Sequence, residues 1–286
     1  MKILITGGSG FLGRALVNRL RKKGYELLVI DKVNKNKFKD VKYIKGSIEN
    51  KKLVYSIMKK IDYVYHFASL AGIPDCNKNP RKAVGINIQG TLNILEASRL
   101  NNVKKIIFSS TIYSLSEQGG VYRTTKQCCE MLIENYNKLY ALNYVILRFG
   151  SLYGPNSNSF NFIKNAIDQA TKEGIIKRNG DGSEVRKYIY VDDAAEASIK
   201  VLSKKYMNQY FEITGSKAIT VKSVLEKIAR KVNKPIKIKY FPNHDDIDDQ
   251  HYYKNPNTFK LRKSKKLNYE NKVNIEDGLD LTIENI

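Results

Sequence analysis

The segment that most constrains this chain is its opening, MKILITGGSGFLG. An apolar run, KILIT (2–6), leads directly into TGGSGFLG (6–13), with Gly7, Gly10 and Gly13 spaced G-x-x-G-x-x-G. The pattern predicts a buried strand, a tight turn and a helix over Phe11–Lys23 that stops at Gly24. Glycine permits the turn, lets a pyrophosphate approach the backbone and lets the helix pack close to the strand. The helix N-terminus adds unpaired N–H groups and the positive end of a dipole. The next apolar run, ELLVI (26–30), ends at Asp31, whose carboxylate can accept hydrogen bonds from ribose hydroxyls. Together these features point to a dinucleotide site. Asp31 also repels a 2′-phosphate, which favours NAD over NADP. Lys32 and Lys35 leave NADP open.

The alternation continues. VKYIK (41–45), DYVYHF (62–67), KKIIFS (104–109) and NYVILRF (143–149) read as strands, and Ala83–Leu100 and Tyr122–Leu139 as helices. Apolar strands alternating with helices predict an α/β fold with a doubly wound parallel sheet. The second half is less regular. Phe160–Lys172 and Val221–Val232 read as helices, IKIKYF (236–241) as a strand, and Asn243–Asn274 as a polar tail. A smaller, mixed α/β C-terminal lobe is therefore expected. The division expected is 1–152 plus about 184–203 for the dinucleotide unit, and about 153–183 plus 204–286 for the lobe.

Bulk properties exclude several classes. No apolar run approaches the roughly 18–20 residues of a membrane span, and the start lacks a signal peptide's long apolar region. A cytoplasmic protein with no membrane insertion is expected. The three cysteines and three histidines show neither a disulfide framework nor a metal-ligand spacing, so no metal is expected. The net charge is +22. Its lysines are spread over every segment without a basic stripe, so no nucleic-acid partner is expected. Such a surface still attracts anionic substrates such as nucleotide diphosphates.

Residues 109–127, SSTIYSLSEQGGVYRTTKQ, carry the candidate chemistry. Tyr122 and Lys126 share a helix face at i, i+4. A phenol with a pKa near 10 needs help to act as a base at neutral pH, and a nearby ammonium favours its phenolate. Thr111 ends the IIFSS strand at the carboxyl edge of the sheet, where doubly wound sheets bind ligands. It can hold a substrate hydroxyl while Tyr122 moves the proton. Alone, Y-x-x-x-K describes many solvated helix faces. Behind a glycine turn it reads as a site.

These residues resemble the extended short-chain dehydrogenase/reductase family, the NAD-dependent nucleotide-sugar epimerases and dehydratases with a Rossmann-type sheet. TGGSGFLG, HFASLAG (66–72), NIQGTLNILEAS (87–98), LRFGSLYGP (147–155), GDGSEVRKYIYVDDAAEA (180–197) and HYYKNPNTFKLRKSKKL (251–267) carry the resemblance over almost the whole chain. It implies a catalytic set of Thr111, Tyr122 and Lys126, with Ser110 the other candidate for the hydroxyl. It implies NAD contacts from Gly7, Gly10, Phe11, Leu12, Gly13, Asp31, Lys32, Ser47, Ile48, Phe67, Ala68, Ser69, Asn87, Ser109, Phe149, Tyr122 and Lys126, with Thr91 nearby. It implies nucleotide-sugar contacts from Ser110, Thr111, Tyr122, Ser151 and Arg186. Asp192 and Asp193 are read as structural, Asp193 capping or orienting the following helix.

Three departures stand out. Ser47 replaces an aspartate common near the adenine, Ser151 replaces an asparagine, and the segment between Thr111 and Tyr122 is short. Dehydratases of this kind place acids directly after the threonine, where this chain has Ile112 and Tyr113. The implied activity is therefore epimerisation, commonly at C4, through a keto-sugar. A net NAD(P)-dependent nucleotide-sugar reductase or dehydrogenase is the alternative, and a non-catalytic NAD(P)-binding regulatory protein a third. The resemblance also implies a homodimer through the Ala83–Leu100 helix and the helix after Tyr122.

Overall fold

The computed structural model describes residues 1–33, 38–158, 161–232 and 235–242. Lys35, His244, His251 and the tail segment 251–267 lie outside the described residues. In chain order the elements are β1 (Lys2–Thr6), α1 (Phe11–Lys22), β2 (Glu26–Asp31), β3 (Lys42–Lys45), α2 (Lys51–Ile57), β4 (Tyr63–His66), α3 (Ile73–Lys78), α4 (Pro80–Ala83), α5 (Gly90–Leu100), β5 (Lys105–Thr111), α6 (Gly120–Tyr140) and β6 (Tyr144–Phe149). There follow β7 (Ser151–Tyr153), α7 (Phe162–Glu173), β8 (Ile175–Asn179), β9 (Val185–Tyr190), α8 (Val191–Lys200), β10 (Gln209–Ile213), β11 (Ala218–Thr220), α9 (Val221–Lys231) and β12 (Lys237–Phe241).

Seven strands form one sheet in the order β3-β2-β1-β4-β5-β6-β10, and every neighbouring pair is parallel. Strands buried on both faces explain the near-continuous apolar runs of β1, β2, β5 and β6. One face packs on α2, α5 and α6 through Leu4, Ile94, Phe108, Ile133 and Ile146. The other packs on α1 and α8 through Ile3, Leu16, Leu20, Leu147 and Ala195. Fully burying side chains such as Leu16 and Leu20 contributes about 1.5–3 kcal/mol each. The strand order reverses between β1 and β4, which opens a crevice at their carboxyl ends.

The part expected as the smaller lobe holds the three-stranded sheet β11-β9-β7, although β9 falls in the 184–203 range expected for the dinucleotide unit, and the parallel pair β12-β8. Its own core joins α7 to α9 through Ala166, Ala170, Ile176, Leu225 and Ile228. β10 lies within the 204–286 range expected for that lobe, yet it pairs with β6 in the central sheet. Its half-buried sequence, QYFEI, carries little of the apolar signal of a central strand.

Two local readings are corrected. Ala83–Leu100 is not one regular helix, because a π-helical segment, Val84–Gln89, joins α4 to α5. Nor does Asp193 cap α8. Tyr190 holds the cap position without a side-chain bond, and Asp193 is exposed in the first turn. Asp192 ties α8 to α1 through Arg19, at 2.9 Å.

Candidate active site

The turn after β1 is a steric cradle. Gly7 has φ 73°, and a Cβ there would lie 2.7 Å from the Ala68 backbone nitrogen. A Cβ on Gly13 would lie 2.1 Å from the Gly7 carbonyl oxygen. Gly10 starts α1 with no side-chain cap and no acid in the first turn, so the helix N–H groups and positive dipole end serve the crevice.

A buried relay fixes the cradle to β4. The Thr6 hydroxyl meets His66 Nδ1 at 2.8 Å and accepts from the Ala68 N–H at 3.1 Å. His66 Nε2 meets the Thr91 hydroxyl at 2.9 Å. Burial, assisted by the Lys126 charge, holds His66 down at about 3, so it is neutral across the physiological range. At the end of β2, Asp31 accepts from the Ser9 and Val33 N–H groups, at 3.0 and 3.1 Å.

β5 and α6 build the other end. Lys126, 2% exposed, donates to the Ser109 carbonyl at 2.7 Å. Its Nζ lies 5.8 Å from the Tyr122 ring centroid and 4.6 Å from that of Phe108. Burial pulls Lys126 down to about 8 and pushes Tyr122 well above the usual phenol range. Burial first, then the neighbouring Cys76 and Cys129, raise the phenol, so the expected phenolate is not a property of the chain alone. A further positive charge in the crevice is needed.

Thr111 is 5% exposed and accepts from the Tyr113 N–H at 3.3 Å, starting a 3₁₀ turn over Ile112–Leu115. Behind it, Glu130 collects four bonds. It accepts from Ser110 (2.5 Å), Ser114 (3.1 Å) and Arg148 Nε and Nη2 (3.0 and 2.7 Å). A carboxylate 6% exposed requires such pairing. The network locks the β5 end and the 3₁₀ turn onto α6. Asn77 of α3 accepts from the Val121 N–H at 3.0 Å, which fixes the start of α6.

A single cavity of about 660 Å³ joins the two ends. Of the expected residues, Gly7, Gly10, Phe11, Leu12, Gly13, Asp31, Lys32, Ser47, Ile48, Phe67, Ala68, Ser69, Ser109, Ser110, Thr111, Tyr122 and Phe149 line it. Four others stand outside the lining. Lys126 lies behind Ser109. Asn87 grips the Leu70 backbone, accepting from its N–H at 2.7 Å and donating to its carbonyl at 3.1 Å, and also donates to Thr125 at 2.9 Å. The π-helical segment that carries Asn87 leaves its carbonyl to accept from Cys129 and Thr91, a local distortion of a kind frequent at functional sites. Ser151 is bracketed by the lining residues Gly150 and Leu152. Arg186 sits on β9, with its guanidinium 5.3 Å from the Phe162 centroid and 3.7 Å from Glu184.

The structure adds lining residues that the sequence reading did not name. Lys82, Asn158 and Asn161 are polar, and Tyr113 lines the cavity as an aromatic. Asn161 also caps α7 and donates to the Leu152 carbonyl at 2.6 Å. Asparagine at a helix start is a sequence signal for that position. Lys82 had no such signal. Glu117 is exposed and outside the lining.

Residues 3–213 match the NAD dependent epimerase/dehydratase family. The chain belongs to this family. It is 29% identical over 313 residues to the UDP-glucuronate 4-epimerase of Thermodesulfobacterium geofontis, covering 98% of this chain and 94% of that one. It is 29% identical to a trifunctional UDP-glucose 4,6-dehydratase/UDP-4-keto-6-deoxy-D-glucose 3,5-epimerase/UDP-4-keto-L-rhamnose-reductase of Arabidopsis thaliana over 99% of this chain, which spans 46% of that protein's length. The crystal structure of UDP-glucose 4-epimerase with UDP-glucose from Thermotoga maritima superposes with a TM-score of 0.80 at 29% identity, over 99% of this chain and 98% of that one.

NAD is the family's cofactor, and the site fits it. The glycine turn leaves no room for a Cβ at Gly7 or Gly13, Asp31 lines the same cavity at the end of β2, and the cavity falls in the size range of cofactor sites. No helix among the described residues is long and apolar enough to cross a membrane.

Proposed function

We propose that this protein is a nucleotide-diphosphate-sugar epimerase acting at C4 through a keto-sugar, in sugar-nucleotide or cell-surface polysaccharide metabolism. The observation that carries the reading is a cavity shared by both ends. It holds Thr111 and Tyr122 at one end and the glycine cradle at the other, with no carboxylate on the 109–113 segment.

Bound in this cavity, NAD supplies a reversible hydride acceptor and one positive charge. The residues do the rest. The α1 N-terminus and the cradle hold the pyrophosphate, and Asp31 accepts from ribose hydroxyls. Thr111 orients the sugar hydroxyl. Tyr122 takes its proton as that carbon becomes a ketone, and returns it after the keto-sugar has presented its other face. Lys126 anchors the Ser109 backbone and adds its charge at the Tyr122 end, helping to bring a buried phenol into working range. Ile112 is buried and Tyr113 is a phenol, so neither supplies the acid that elimination of water requires. The relatives named as 4-epimerases support C4 and a nucleotide-diphosphate substrate.

A cytoplasmic homodimer is part of the proposal. Cys76, Cys128 and Cys129 are all free thiols, and Leu100, Met131 and Leu139 are exposed on α5 and α6.

The test is a panel of UDP-, GDP-, CDP- and dTDP-sugars followed by NMR, since epimers share a mass, with free NAD(H) followed in the same tubes. The expected result is one interconverting C4 pair with no net cofactor consumed. Cofactor consumed one-for-one with product identifies a reductase. Cofactor binding without conversion of any sugar would sink the enzyme reading.

A further inference from the structure

Ser47 stands where relatives of this kind commonly place an aspartate near the adenine, yet this end of the cavity is not short of carboxylate. Glu49, two residues on, turns back. Its Oε2 accepts from the Ser47 hydroxyl at 2.9 Å and from Lys32 Nζ at 2.9 Å. The Glu49 N–H donates to the Ser47 hydroxyl at 3.2 Å, so the turn closes on itself. The Asn93 side chain, 5% exposed, donates to the carbonyls of Ile48 and Glu49 at 2.9 and 3.2 Å and fixes this segment to α5. The other carboxylate oxygen faces Gly85, 3.2 Å from where a Cβ would stand. The Lys32 ammonium, chiefly, holds the Glu49 carboxyl below its usual range.

Lys32 and Ser47 line the same cavity as Asp31. The Lys32 ammonium therefore belongs to the adenosine end, but its charge is already engaged by Glu49. A cation next to the ribose acid is the group that would receive a 2′-phosphate. Asp31 opposes that phosphate by direct repulsion, with both its oxygens held by backbone N–H groups. Glu49 opposes it a second way, by occupying the cation and adding a negative charge of its own.

We propose that Glu49 is a second determinant of cofactor choice, holding Lys32 away from the 2′-phosphate position so that the site selects NAD over NADP. The Lys32–Glu49 pair is about half exposed, so it exchanges readily, and the selectivity it adds is modest beside that of Asp31. The inference concerns the adenosine end alone and does not depend on the sugar or on the reaction.

The experiment titrates the full-length chain with NADH and NADPH separately, followed by nicotinamide fluorescence at low ionic strength, with no sugar present. In Glu49→Gln the ratio of the NADPH to the NADH dissociation constant is expected to fall about tenfold, the scale of one charge-assisted hydrogen bond released to the phosphate. In Lys32→Ala/Glu49→Gln, which restores the local net charge but lacks the cation, the ratio returns to the wild-type value. A Glu49→Gln ratio within twofold of wild type overturns the proposal. So does a tenfold fall that persists in the double variant, since Lys32 would then play no part. Because the readout is binding, failure of the epimerase reading leaves this test intact, and the reverse also holds.

Discussion

The two ends of the cavity are built on different physical principles. The cradle is shaped by what is absent, since Gly7 and Gly13 leave no space for a Cβ. The Tyr122 end is shaped by what is present, a buried cluster of Ser110, Ser114, Glu130 and Arg148 behind Thr111. Steric exclusion is close to all-or-none, because backbone cannot yield by much. A polar network can be weakened one bond at a time. The cradle should therefore break abruptly and the Tyr122 end gradually.

Gly13→Val is the harshest way to test that contrast. Its Cβ would fall inside the Gly7 carbonyl, so a loss on the order of 4 kcal/mol or more in stability or NADH affinity is expected. Urea unfolding alongside an NADH titration reads both. A variant with near-wild-type values in each would show that the turn can relax, and the contrast would fall.

Glu130→Gln probes the other end. It keeps shape but removes the charge that Arg148 needs, and about 2–3 kcal/mol of stability should be lost. Affinity for NADH should change less than threefold, because the cradle is untouched. An equal loss of cofactor affinity would mean the two ends are coupled rather than separate.

The smallest effect belongs to the cradle's own polar component. The unfolded chain protonates a histidine near 6.5, while buried His66 resists until about 3. As pH falls below 6.5 the unfolded state takes up a proton that the folded state refuses, so stability drops with falling pH. Between pH 7 and pH 5 the loss attributable to His66 is about 2 kcal/mol. The window lies above the range of the depressed carboxyls Glu49, Asp62 and Glu96. Unfolding midpoints at the two pH values should show that drop in the wild type and a flatter profile in His66→Asn. Identical profiles would remove His66 from the account.

The same difference explains what could be read from the sequence. An obligatory glycine leaves a mark at a fixed spacing, and Asp31 follows at the end of the next apolar run, so the cradle and the parallel sheet were legible. Tyr122 and Lys126 were legible because one helix carries both. Glu130 was not. Its partners Ser110 and Arg148 come together only when β5 pairs with β6 in the register that sets them side by side, and no local pattern encodes that register. β10 escaped for a related reason, as an edge strand with two exposed and three half-buried residues gives a weak apolar signal. Glu49 lay only two residues from Ser47, but its return toward Lys32 depends on the turn and on Asn93 of α5. The Asn87 grip on Leu70 depends on a π-helical segment that helical periodicity hides.

The most direct test of the two-ended cavity is one preparation of Tyr122→Phe, assayed for NADH affinity and for sugar conversion together. The hydroxyl is lost and the packing kept. Affinity within about threefold of wild type, with conversion reduced by roughly 10²–10⁴, is the predicted result. Conversion at the wild-type rate would contradict the assignment of Tyr122 as the proton-transfer group.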